Sequence, residues 1–336
     1  MARAEGAAIG MLATLAQAPE PVSAEDVAGA LRAGEFFWLD LDVGGPAAAA
    51  AFAVLRDDFA LHPLALEDAE HFGQRPKFDD YDDAGHMVVH GAAAGGGATH
   101  EVHLFVAGTY VVTLHRGDCP ALDSVHQRIT RRHTGIRVHA PQVLVTYLVV
   151  DALTDSFFPV LSSFDDQIDD LETSILEEPT EAQLGQIFAM KRQLMGIRRV
   201  IGPQRDMFAA ISAGVTDLPG MTDDSGRYFR DLYDHLIRIG DMVDGYRDLV
   251  SGVMDTHLST VSNRLNVVMK QLAVIATVFL PLSFLTGFFG QNFSWLVTHL
   301  GGMPTFVGVG IGLEALAVVL LLALFKRRGW LGGPSA

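Results

Sequence analysis

Leu272 to Phe289 contains no charged side chain, and Phe306 to Leu324 contains one, Glu314. A helix needs about 20 apolar residues to span about 30 Å of hydrocarbon, and each run is close to that length. A pair of buried core helices is the alternative reading, and the flanks decide against it. Arg264 and Lys270 precede the first run, and Lys326-Arg327-Arg328 follows the second. The link Gly290 to Thr305 has neither Lys nor Arg. Basic flanks stay on the cytoplasmic side, so both ends are expected inside a plasma (inner) membrane and the link outside. Trp295 and Trp330 fall where aromatic rings sit at the two interfaces.

The region before the spans is polar. The 336 residues hold 40 acidic and 24 basic side chains, a formal net charge of -16. A nucleic-acid partner needs a basic footprint, so none is expected. A negative surface instead attracts cations. The single cysteine, Cys119, excludes an intrachain disulfide framework and a Cys-rich zinc site. No G-x-x-x-x-G-K-[ST] or G-x-S-x-G motif is present, so neither ATP-driven pumping nor an enzyme activity is expected.

The pattern predicts an α+β fold: a cytoplasmic α/β domain, then long stalk helices and two C-terminal transmembrane helices. Residues 1–20 read as a flexible start, alanine-rich but too interrupted for a signal peptide. Residues 21–140 mix short helices with strands, among them Ser23 to Leu31 (helix), Phe36 to Leu41 (strand) and Ala47 to Phe59 (helix). Gly85 to Ala92 and Val102 to His115 read as strands, the latter with a turn at Ala107-Gly108-Thr109. Gly95 to Gly97 reads as a loop. Residues 141–270 form a helical stalk. Gln142 to Glu177 is expected as one helix, and Thr180 to Ile211 as the next, interrupted near Gly202-Pro203. From Tyr228, apolar residues recur at three and four with no proline before Pro281. A helix from Tyr228 to Phe289 is roughly 90 Å long at 1.5 Å per residue. The spans are then 271–289 and 306–325, joined by an outer loop at 290–305 and followed by a basic tail at 326–336.

Two spans cannot enclose a pore, so conduction requires a ring of copies. On the first span and its approach, Asn266, Met269, Leu272 or Ala273, Ala276, Leu280, Ser283 and Gly287 share one face. Leu272 and Leu280 suit apolar constrictions. Small residues on such a stripe also permit tight helix packing. Pro281 removes one backbone hydrogen bond inside the span. At its outer end Gly290-Gln291-Asn292 offers amide and carbonyl oxygens, which suit a hydrated hard cation such as Mg2+.

Several separated segments resemble the CorA-type magnesium and zinc transporters, a two-span family with a G-x-N signature. They are Leu61-His62-Pro63-Leu64-Ala65-Leu66-Glu67-Asp68, Gln74-Arg75-Pro76-Lys77-Phe78-Asp79-Asp80-Tyr81, Tyr228 to His235, and Asn266 to Asn292. The resemblance spans residues 36 to 331. It implies a homopentameric funnel in which the first span lines the pore and Gly290, Gln291 and Asn292 form the outer selectivity ring. It also implies that Glu67, Asp68 and Asp231 bind regulatory Mg2+ between neighbouring subunits. The ion would cancel carboxylate repulsion and close the pore. Transported Mg2+ is the first expectation. The sequence departs from the magnesium branch at Gln291, where that branch carries methionine, and in an outer link without acids whose one titratable side chain is His299. Zn2+ or Co2+ is therefore the alternative cargo, and a non-conducting membrane metal sensor the rival from another class.

Glu314 lies mid-span, where an ionisable group is costly and often functional. It is a candidate for proton coupling, or a neutral acid bonded between helices. His100 and His103 lack the i, i+4 spacing of a helical zinc pair and alternate across a strand, so no zinc site is expected there.

Overall fold

The computed structural model describes residues 8–15, 17–81, 84–93, 99–130, 138, 140–291, 294–299 and 302–330. The chain divides into two units, residues 1–254 and 255–336. The first contains, in order, β1 (Gly10–Ala13), β2 (Glu20–Val22), α1 (Ala24–Ala33), β3 (Phe37–Asp42), α2 (Ala48–Asp57), α3 (Pro63–Glu70), β4 (Lys77–Tyr81) and β5 (Ala84–Ala92). After these come β6 (Thr99–Val106), β7 (Tyr110–His115), α4 (Pro120–Thr130), α5 (Pro141–Asp155), α6 (Phe157–Glu177), α7 (Glu181–Ser212) and α8 (Asp223–Phe289), whose residues beyond 254 belong to the second unit.

The seven strands form one mixed sheet in the order β2-β1-β3-β7-β6-β5-β4. Only the β3–β7 pair is parallel. Strand alternation sorts side chains onto two cores. Phe37, Leu39, Leu41, Val112 and Leu114 pack with Val27, Ala51, Leu55 and Leu66 of α1 to α3. Trp38, Met87, Val89, Leu104 and Val111 face the other way, onto α4 to α8. The caps are local and sequence-encoded. Ser23 and Asp26 form a capping box at α1, and Thr180 with Gln183 does the same at α7.

Three expectations need correction. The start is not flexible from residue 10: β1 pairs with both β2 and β3, and a Cβ on Gly10 would collide with the Asp40 carbonyl oxygen at 2.4 Å. Gln142 to Glu177 is two helices, parted at Ser156. The Ser156 hydroxyl turns back to Leu153 O and accepts from Ala92 N at 2.7 Å, which pins the break to β5. Gly91 lets the strand come that close, because a Cβ there would stand 2.9 Å from Ser156 Oγ. Helix α7 runs uninterrupted through Pro203. Next to it Gln204 accepts from His90 N at 2.8 Å and donates to His90 O at 3.3 Å. The Gly95 to Gly97 loop lies outside the described residues.

Along α8, Leu232, Leu236, Ile239, Val243, Val250 and Val253 of the three-and-four series are buried, as is Phe229, while Leu249 and Leu258 are exposed. At 67 residues the helix is about 100 Å long.

The second unit holds the rest of α8, a short α9 (Ser294–His299) and α10 (Met303–Arg327), in which Phe306–Ile311 is π-helical. Lys270 Nζ donates to Gly329 O at 3.3 Å, and Thr286 Oγ1 lies 2.8 Å from Glu314 Oε1, so α10 runs antiparallel to α8. Both helices are long and apolar enough to cross a membrane.

Candidate pore helix and cytoplasmic metal sites

The second unit places the predicted stripe on one free face. Asn266, Met269, Leu272, Ala276, Leu280, Ser283 and Gly287 are all exposed. The half-buried residues of the same stretch are Lys270, Val274, Val278, Pro281, Leu282, Leu285 and Phe289. At about 100° per residue these two sets point to opposite sides of the helix. The covered side includes Lys270, which meets the end of α10. Polar Asn266 and Ser283 therefore stand on the side that α10 leaves open. Helix α8 stops at Phe289, where Gly290 N donates to Thr286 O and Gln291 N to Phe288 O. Asn292 lies outside the described residues. Trp330 stacks on Phe325 with ring centroids 5.6 Å apart, and Lys270 Nζ is 5.9 Å from the Trp330 ring.

Glu314 has one partner that sequence alone did not reveal. Thr286 Oγ1 lies 2.8 Å from Glu314 Oε1 and also 2.8 Å from Leu282 O. One hydroxyl carries one proton. The hydroxyl is within donating distance of both oxygens, so the contact ties α10 to α8.

In the first unit the three acids named for regulation do not meet within one chain. Glu67 is exposed on α3. Asp68 Oδ2 is 2.6 Å from Lys77 Nζ, which is also 2.6 Å from Asp79 Oδ2. Burial opposes the Lys77 charge, but hydrogen bonds to Asp68 and Asp79 outweigh it and raise its pKa. Asp231 lies on α8 beside His235, whose Nε2 is 3.9 Å from Asp231 Oδ1 and whose Nδ1 is 3.4 Å from Asp155 Oδ1. Asp151, Asp155 and His235 bring one ligand atom each within 4.8 Å of one another. Burial, then the neighbouring Asp151, raises the Asp155 pKa, a strain that a bound dication would relieve. Arg128 lies 3.1 Å from Asp151 and takes up part of its charge.

Sequence reasoning passed over Asp151, Asp155 and His235. Their signal was present as two i, i+4 pairs, Asp151 with Asp155 on α5 and Asp231 with His235 on α8. His100 and His103 do stand on opposite faces of β6: His103 packs on His86 and Phe72, His100 on His115.

The chain matches the CorA-like Mg2+ transporter protein family over residues 33–327 and belongs to it. It is 34% identical over 279 residues to a cobalt/magnesium transport protein CorA of Thermotoga maritima, covering 81% of this chain and 78% of that one. It is 31% identical over 189 residues to a zinc transport protein ZntB of Yersinia enterocolitica, covering 54% and 53%. The solved CorA magnesium transporter of Methanocaldococcus jannaschii superposes with a TM-score of 0.78 at 20% identity, covering 88% of this chain and 92% of that one. Fold and family thus place the protein among membrane metal-ion transporters rather than enzymes.

Proposed function

We propose that the chain is one subunit of a homopentameric funnel through which divalent cations, Mg2+ first, enter the cytoplasm down the membrane potential. The observation that carries this reading is the seven-residue stripe on α8, exposed and facing away from the side that α10 covers. Within that stripe polar Asn266 and Ser283 and small Ala276 and Gly287 suit the axis of a ring of copies better than lipid. Leu272 and Leu280 narrow that axis, and Gly290, Gln291 and Asn292 present oxygens at its outer mouth. An inside-negative potential contributes roughly 2.3 kcal/mol per charge per 100 mV, and about twice that for a dication. Both termini lie in the cytoplasm, because Arg264, Lys270 and Lys326 to Arg328 flank the spans on that side. Glu67, Asp68 and Asp231 bind regulatory Mg2+ across the contact between neighbouring subunits and close the pore when internal Mg2+ is high.

A second reading has the observation at Glu314 in its favour. The mid-span carboxyl of Glu314, held by the Thr286 hydroxyl, together with Gln291 in place of methionine, suits a zinc carrier coupled to protons.

The test is ion uptake by the purified protein in liposomes, with and without Asn292→Ala. The variant is expected to assemble normally and to lose most Mg2+ flux. Normal flux in an assembled variant removes the outer ring from the selectivity role. Flux of Zn2+ that follows a pH gradient and disappears in Glu314→Gln moves the chain to the second reading.

A further inference from the structure

Asp79 and His86 stand directly opposite one another in the β4–β5 antiparallel ladder, so their side chains share one face of the sheet. Lys77, two residues before Asp79, is on the same face. Helix α3 adds Asp68. One ligand atom from each of Asp68, Asp79 and His86 lies within 4.8 Å of the other two. The Lys77 ammonium sits between the two carboxylates, 2.6 Å from each. A cation supplied by the chain itself thus occupies the middle of a ligand set.

A chain of polar contacts lies behind this set. Glu101 accepts from Gly73 N at 2.6 Å and Gln74 N at 3.1 Å. Burial opposes its charge, but bonds from His103 and these backbone groups prevail and lower its pKa. An ionised carboxylate only accepts, so His103 Nε2, 2.8 Å away, carries a proton and donates. The other ring nitrogen of His103, Nδ1, lies 3.1 Å from His86 Nε2. The remaining ring nitrogen of His86 is Nδ1. That atom is buried and has no hydrogen-bond partner, in a residue that is 0% exposed. A histidine whose far nitrogen is held by a second polar group, itself fixed by a carboxylate, is the outer-shell arrangement that orients metal-binding imidazoles.

We infer that Asp68, Asp79 and His86 form a site within one subunit for a transition-metal dication of the Zn2+ or Co2+ class, which enters by displacing the Lys77 ammonium. Imidazole nitrogen favours such ions, whereas Mg2+ prefers oxygen ligands and keeps its waters. Lys77 is one-third exposed and can swing outward. The site deepens the regulatory part of the proposed function, since Asp68 serves both. It gives the cytoplasmic unit a means of sensing transition metals apart from Mg2+.

The experiment titrates full-length protein in detergent with Co2+ under excess Mg2+, and follows visible absorption and nitrogen hyperfine coupling. Because it reads binding rather than flux, it can fail while the transport reading stands. Wild type is expected to bind Co2+ with a histidine-nitrogen signature that His86→Gln removes. His103→Gln is expected to weaken binding roughly ten- to a hundredfold. Lys77→Met, which removes the competing cation, is expected to tighten it. A nitrogen signature that persists in folded His86→Gln overturns the proposal. So does Lys77→Met binding no tighter than wild type, and that comparison decides the matter if His86→Gln does not fold.

Discussion

Helices α5–α6 and the two C-terminal spans have similar claims on a membrane by composition, yet their surroundings differ completely. The apolar window within Pro141–Glu177 is 67% buried inside the chain, whereas the windows in Asp223–Phe289 and Met303–Arg327 are 0% buried. In α5, Val143, Val145, Leu148, Val149 and Val150 are all buried, on a helix that packs against the sheet, α4 and α6. Leu272, Phe279, Leu280, Leu316, Val319 and Leu320 have no such cover. Hydropathy therefore reports only that a helix must leave water. Whether it finds a protein core or a bilayer is decided by what the rest of the chain offers it. The first unit supplies a second layer; the second unit leaves lipid and other copies of itself to do so.

That comparison breaks most visibly by truncation. Leu148→Ala, at a fully buried position, is expected to destabilise the first unit by about 2–5 kcal/mol. Leu320→Ala, on the bare side of α10, is expected to leave its unfolding midpoint unchanged. Chemical denaturation of full-length protein in detergent, followed by the tryptophan signal of buried Trp38, separates the two. Equal effects would mean that the units share one core.

The pH response of the first unit sharpens the comparison from its polar side. Asp40 accepts from His126 at 2.9 Å, and His115 lies 3.5 Å from it. Burial works against both the Asp40 and His115 charges. For His115 the bond to Asp40 prevails and raises its pKa; for Asp40 the bonds from His115 and His126 prevail and lower it. Raised His115 contributes stability below its unfolded pKa that is lost as pH rises through its folded pKa. Depressed Asp40 contributes stability above its unfolded pKa that is lost as pH falls through its folded pKa. Their joint contribution is therefore greatest between the ordinary aspartate and histidine values, and Asp40→Asn is expected to flatten the melting-temperature profile on both sides. An unchanged profile would remove the pair from the pH response.

A smaller effect is expected in the second unit. Hydrogen bonds between membrane helices average about 0.6 kcal/mol, so Thr286→Val is expected to loosen the α8–α10 pair only slightly, without loss of assembly. A large loss of oligomer in that variant would promote the Thr286–Glu314 contact to a main structural tie.

Much of this was legible in the sequence wherever the signal was local. Ser23 and Thr180 marked helix starts, the three-and-four series from Leu232 to Val253 marked α8, and basic flanks marked the spans. What escaped was set by tertiary partners. Helix α5 is buried nearly all round, so it has no polar face to announce its end, and Ser156 breaks it through a bond to Ala92. Pro203 is absorbed within α7, and β1 forms because β2 and β3 are there to pair with it. The same holds for the candidate sites. That the α8 stripe shares one exposed face was readable because helical spacing fixes a face. Asp79 with His86 was not, because only the strand register places them opposite one another.

The most direct test of the central claim is thiol labelling of α8 in the assembled protein within membranes. Cys119, the natural cysteine, is buried and its thiol pKa is pushed up to about 11 by burial, so it provides a quiet background. Leu272→Cys, Leu280→Cys and Ser283→Cys are expected to react with a water-soluble reagent and block flux. Val274→Cys, Val278→Cys and Leu285→Cys are expected to stay unlabelled. Equal labelling of both sets, or labelling of the second set alone, would contradict the assignment of this face of α8 to the ion path.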